Sequence, residues 1–167
     1  MSNRNDYRRT ISHVKTGLTK GTTSTYTTTA TSETSIDGKW STGLTAQTNT
    51  ASPTTDARTG VAFVAQTDNT AAAYVFGITA AGAIALAQGP IEATETGSGA
   101  TAGAFKLRPQ FPVLPDDFCP IGYLFVRTAP DASDFTVGTS SWTATGITAS
   151  AVVEVDGVLP ARPQALP

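Results

Sequence analysis

The residues able to do chemistry are few and far apart. His13 is the single histidine and Cys119 the single cysteine. A nucleophile needs a base within hydrogen-bond reach, and a Ser-His-Asp arrangement would have to be built on His13, which sits in a Thr-rich run among Arg and Lys. Cys119 stands between Phe118 and Pro120 without a cation to lower its pKa, so it reads as a small buried hydrophobe. A lone cysteine also excludes an intrachain disulfide and a multi-cysteine zinc site. Asp116 and Asp117 are neighbouring carboxylates, but neighbours in an extended segment point to opposite sides, whereas glycosidase acids flank a cleft from separate elements. Asp131, Asp134 and Asp156 lack the spacing of a calcium loop and read as turn residues. Gly97-Ser98-Gly99 is not followed by the strand-to-helix context of a phosphate loop. These residues predict no enzyme, no cofactor and no metal.

The elements that would have to position them are strands. Val61 to Ala65 is a short apolar run and Asp68-Asn69-Thr70 a turn. Ala73 to Thr79 alternates Tyr74, Phe76 and Ile78 on one face, Ala80-Ala81-Gly82 turns, and Ala83 to Gln88 returns with Ile84 and Leu86 together. Glu92 to Ala104 reads as a flexible surface loop. The proline-rich Lys106–Pro120 segment leads into a strand over Gly122–Arg127. A turn at Pro130-Asp131 follows, with strands around Phe135-Thr136-Val137, Gly146–Ala151 and Ala151–Val155. Tyr74, Phe76, Ile78, Ile84, Leu86, Ile121, Leu124, Val126, Val153 and Val155 form the predicted core. The expected fold is all-β, a small antiparallel sandwich or barrel over residues 60–167.

Residues 1–59 read differently. Their large apolar residues, Tyr7, Ile11, Val14, Leu18, Tyr26, Ile36, Trp40 and Leu44, are widely spaced, and such a segment cannot offset its own ordering entropy by burial. Residues 22–34 are rich in threonine, which favours extended backbone. The expectation is a long extended arm held by another chain, with a short hairpin at Asp37-Gly38 anchored by Trp40 and a linker at residues 51–55.

Thr, Ala, Ser and Gly make up about half of the 167 residues, and the larger apolar ones cluster after Gly60. Net charge is also divided. Residues 1–60 carry 7 basic and 4 acidic side chains, or +3, and the rest 4 and 9, or −5, summing to −2. A basic arm on an acidic body suits an acidic protein surface, and Arg4, Arg8, Arg9, Lys15, Lys20, Tyr26 and Trp40 are its candidate partner-binding residues. With a pI near 5.2 the chain lacks the dense basic stripe of a nucleic-acid reader. No apolar run has the length of a membrane span, and MSNRNDYRRT lacks the apolar core of a signal peptide. The aromatics are assigned to the core, with Trp142 the candidate for stacking on a glycan.

Residues 74–160 resemble a segment of tailed-bacteriophage virion proteins. The matching features are the Gly82 turn with its return strand ending at Gln88-Gly89, then Phe111-Pro112, Leu114-Pro115 and Pro120-Ile121-Gly122-Tyr123 before Leu124-Phe125-Val126. Phe135-Thr136-Val137-Gly138-Thr139 and Thr145-Gly146-Ile147-Thr148 are similar too. The resemblance implies a virion structural protein without catalytic residues, usually oligomeric. The expected function is a capsid decoration or cement protein on the major capsid protein, a trimer or alternatively a dimer, located on the virion after synthesis in the host cytoplasm. The alternative is a head or tail fibre, or receptor-binding accessory protein, that faces a host glycan.

Overall fold

The computed structural model describes residues 10–161, which contain twelve strands and no helix. In chain order these are β1 (Ile11–Ser12), β2 (Thr19–Lys20), β3 (Thr25–Thr28), β4 (Glu33–Ile36), β5 (Lys39–Thr42), β6 (Gln47–Ala51), β7 (Thr70–Thr79), β8 (Ile84–Gln88), β9 (Glu92–Ala93), β10 (Phe118–Thr128), β11 (Ile147–Ala149) and β12 (Val153–Glu154). They form three antiparallel sheets, with no closed barrel among the described residues. The architecture is an all-β, sandwich-like fold.

The long antiparallel pair β7 and β10 runs through the centre, from Ala71↔Arg127 to Thr79↔Phe118. β8 and β9 share the free edge of β7, and β11 and β12 share that of β10. Because both faces of this sheet are covered, its central strands are buried along nearly their whole length. A bulge between Pro120 and Gly122 inserts one residue into β10. The insertion changes the parity of the side chains, so Ile121, Leu124 and Val126 join Tyr74, Phe76 and Ile78 on the first face. Phe118, Tyr123 and Phe125 join Ala73 and Val75 on the second. A proline inside a strand is tolerated at such an irregularity.

On the second face lie Phe105, then Phe111 and Leu114 of the proline-rich segment, with Val153, Val155 and Leu159. The Phe111 ring stands edge-on to Tyr123 with centroids 4.8 Å apart. On the first face lie Phe63, Phe135, Val137 and Trp142, together with Leu18 and Tyr26 from the N-terminal region.

That last contact corrects the extended arm. Residues 10–51 fold back as two three-stranded sheets, β1-β4-β5 and β2-β3-β6, and Leu18 and Tyr26 are buried in the same cluster as Tyr74 and Phe76. The Glu154 carboxylate accepts the Leu18 backbone N–H at 2.9 Å, and the Trp142 indole N–H donates to the Thr25 carbonyl at 2.9 Å. Lys20 Nζ donates to the Ala149 carbonyl. The physical reason is that a segment poor in large apolar residues needs no core of its own when Leu18 and Tyr26, with Leu44 beside them, land on the first face of the central sheet. Threonine supplies the rest, with Thr16, Thr28 and Thr34 buried.

Other expectations change locally. Val61–Ala65 is not a strand, and its backbone is held through the side chain of Gln88 instead. The linker is packed, with Ser52 buried and its N–H bonded to Ser24. Glu92–Ala104 contains β9 and a tight Ser98↔Thr101 bridge. The region of Phe135 contributes only a bridge to Gln66, and the strands predicted over 146–151 and 151–155 shrink to β11 and β12. Seven of the predicted core residues are buried, and Ile84, Val153 and Val155 are half-buried against the clusters. The β7–β8 turn at Gly82 and the β4–β5 turn at Asp37-Gly38 stand where the sequence places them, both Asp37 and Gly38 having positive φ.

Candidate functional site

The residues first considered for chemistry occupy separate settings. Cys119 is wholly buried in β10, and burial pushes its thiol up to about 11, so it stays protonated and unreactive. Asp116 and Asp117 make the turn before β10, and the Asp117 carbonyl accepts the Ala80 N–H. His13 is exposed, its ring 4.6 Å from that of Trp40. Among the described residues no group of three or more His, Cys, Asp and Glu could hold a metal ion.

Of the candidate partner-binding residues, Arg4, Arg8 and Arg9 lie outside the described residues. Tyr26 is in the core beside Phe76, and Lys20 is half-buried on a carbonyl, its pKa lowered by burial. Neither is presented to a partner. Lys15 is exposed, and Trp40 is 59 % exposed, a surface aromatic rather than the anchor of its hairpin. Trp142 is the reverse case. At 1 % exposure, with its N–H committed to Thr25, it has no face on which a sugar could stack.

The structure adds a site the sequence did not suggest. A cavity of about 600 Å³ opens between residues 56–64, 88–91 and 110–113. Val61, Val64 and Val113 line it and are 62, 66 and 63 % exposed, with Phe63, Ile91, Phe111 and Pro112 behind them. Polar residues fix its walls. The Asp56 carboxylate accepts the N–H groups of Arg58 and Thr59 and the Thr59 hydroxyl at one oxygen, and the Gln88 N–H at the other. The Gln88 side-chain amide brackets Val64, accepting its N–H at 3.0 Å and donating to its carbonyl at 2.8 Å, as a neighbouring strand would.

From Gln88 the polar contacts run inward. Its Nε2 also donates to the Tyr74 hydroxyl, which donates to Gln66 Oε1 at 2.8 Å, and Gln66 Nε2 donates to the Val126 carbonyl. Burial raises the Tyr74 pKa well above the usual phenol range, against a smaller opposing effect of the Gln88 contact. The phenol is therefore a neutral structural link, and the groove is a rigid apolar concavity of the size that holds small molecules or peptide segments. Sequence reasoning missed it because three separate segments build it. The available signal was the pair Pro90 and Pro112, which deny the rim two backbone donors.

Comparison of the chain with protein-family models, with curated proteins and with solved structures finds no match in any of the three.

Proposed function

We propose that the protein is a capsid decoration, or cement, protein of a tailed bacteriophage, a homo-oligomer that binds the outer surface of the major capsid shell and reinforces the head. The observation that carries the reading is the unit formed by the β7–β8 hairpin, the proline-rich segment and β10. These are the segments that resemble phage virion proteins, and they make a sheet covered on both faces. Both outer edges of that sheet are broken into short strands, β8 with β9 and β11 with β12. Short, interrupted edges discourage further strand pairing, so many copies can crowd on a shell without edge-to-edge aggregation.

Attachment is assigned to the outer surface of the β1-β4-β5 sheet. It displays Trp40 and His13, and Arg4, Arg8 and Arg9 immediately precede β1 in the chain. Aromatic and arginine side chains supply most of the energy at protein interfaces, and weak contacts repeated around an oligomer add avidity.

The test is binding to shells stripped of the protein. The native chain is expected to rebind and to raise the temperature at which packaged DNA leaks. Trp40→Ala combined with Arg4, Arg8 and Arg9→Ser is expected to bind at least about tenfold more weakly, as for loss of an interface hot spot. Native protein that neither binds shells nor protects them would overturn the reading.

A further inference from the structure

The groove wall formed by residues 110–113 belongs to a strap built unlike the rest of the fold. Prolines recur at every third position, Pro109, Pro112 and Pro115, and exposure follows the same period. Leu107, Gln110 and Val113 are exposed, whereas Phe111 and Leu114 pack on the second face of the central sheet. That is the repeat of polyproline geometry, which makes no hydrogen bonds of its own. Among the described residues, no backbone N–H or carbonyl from Leu107 to Leu114 has a partner. The prolines and the Phe111 ring on Tyr123 hold the strap in place, so its unpaired polar groups form an ordered, extended row.

Three properties of the groove specify its occupant. Val61, Val64 and Val113 line it and are largely exposed, so it takes an aliphatic side chain. The strap wall offers main-chain donors and acceptors in a row, whose spacing another extended main chain matches. The unpaired charge is positive. Both Asp56 oxygens are occupied by donors, while the Arg58 guanidinium makes no ion pair among the described residues. Lys106 and Arg108 on the strap are two of the four basic residues after Gly60, and Asp116 and Asp117, which follow Pro115, line no part of the groove. We propose that the groove captures an extended segment of a partner protein in which an aliphatic side chain is flanked by Asp or Glu. The aliphatic group sits over Val61, Val64 and Val113, a carboxylate meets Arg58, and the segment's main chain pairs with the strap. This capture uses none of the residues assigned to attachment and does not depend on what the molecule attaches to.

NMR titration of the full chain with the synthetic peptide acetyl-Glu-Val-Leu-Val-Glu-amide tests it. The peptide is expected to shift the Val61, Val64 and Val113 methyl resonances and the amide resonances of Phe111 and Val113, and to leave the Trp40 indole unmoved. Arg58→Gln should keep the native spectrum elsewhere and bind the peptide at least about tenfold more weakly, as should the native chain with the peptide's glutamates replaced by lysine. N-methylation of both peptide valines keeps side chains and charge but removes main-chain donors, and is expected to weaken binding at least about tenfold as well. Unmoved resonances at about 1 mM peptide, a concentration that detects even feeble binding, would overturn the proposal. So would equal binding of the N-methylated peptide or of decanoate, which would make the groove a pocket for small amphiphiles. Binding indifferent to Arg58→Gln and to the lysine peptide would remove the acidic partner. The same methyl shifts on concentrating the protein alone, with a dimer in sedimentation, would put a second copy in the groove and overturn the assignment to a partner.

Discussion

At Cys119 burial sets the chemistry, and the sign of its pH dependence follows. The thiol titrates near 11 in the folded chain against 9.0 when free, so between those values the unfolded state has lost a proton that the folded state keeps. Stability therefore falls as pH rises from about 9 to about 11 and is unaffected by this group below that window. Urea midpoints measured across the window should fall more steeply for the native chain than for Cys119→Ala, and alkylation at pH 8 should require unfolding. Gly77 is constrained by shape instead, since a Cβ there would collide with the Phe118 ring lying over it. Gly77→Ala is expected to cost about 1–3 kcal/mol in denaturant unfolding, the range for overpacking a well-filled core. The two tryptophans supply a third check. Trp142→Phe should leave a red-shifted emission that acrylamide quenches readily, from Trp40, whereas Trp40→Phe should leave a blue-shifted, protected one.

Among the elements, the two N-terminal sheets carry the sharpest expectation, because the central sheet needs them as a cover. Leu18→Ala should cost about 2–5 kcal/mol, as for any large-to-small change at a buried leucine. Removing residues 1–51 should leave a body that aggregates, with the first face open where Leu18 and Tyr26 cover it beside Phe76, and a soluble monomeric remainder would contradict this packing. The sequence was legible where information is local. Alternating Tyr74, Phe76 and Ile78 with a Gly82 turn specify one hairpin, and Asp37-Gly38 specifies another. It was misread where the partner surface is remote, since nothing near Leu18 or Tyr26 says that β7 and β10 will receive them. Trp40 and Trp142 were misplaced for the same reason. The β-bulge at Pro120 was equally hidden, because parity along β10 changes only once Ile78 and Gly77 are paired with it. The groove was the least legible feature, since Val61 and Val64 read only as part of a short apolar run and their exposure depends on where residues 88–91 and 110–113 come to lie.

For the molecule as a whole, charge and packing point the same way. The basic excess lies in residues 1–60 and the acidic excess in the rest, so charge of opposite sign is concentrated in the two parts of the sequence. Such a body would orient on an acidic shell surface with its proline-strapped sheet outward, and the attraction should weaken with salt over a Debye length of about 8 Å at physiological ionic strength. Shell binding is accordingly expected to fall between low and high salt for the native chain, and to fall less when Arg4, Arg8 and Arg9 are neutralised. The central claim is that this is a repeated component of a capsid surface, and its copy number in purified particles tests that most directly. Mass-spectrometric quantification against the major capsid protein is predicted to give on the order of hundreds of copies per particle, following the shell's own repeated symmetry. A handful of copies would indicate a fibre, and absence from the particle would contradict the account.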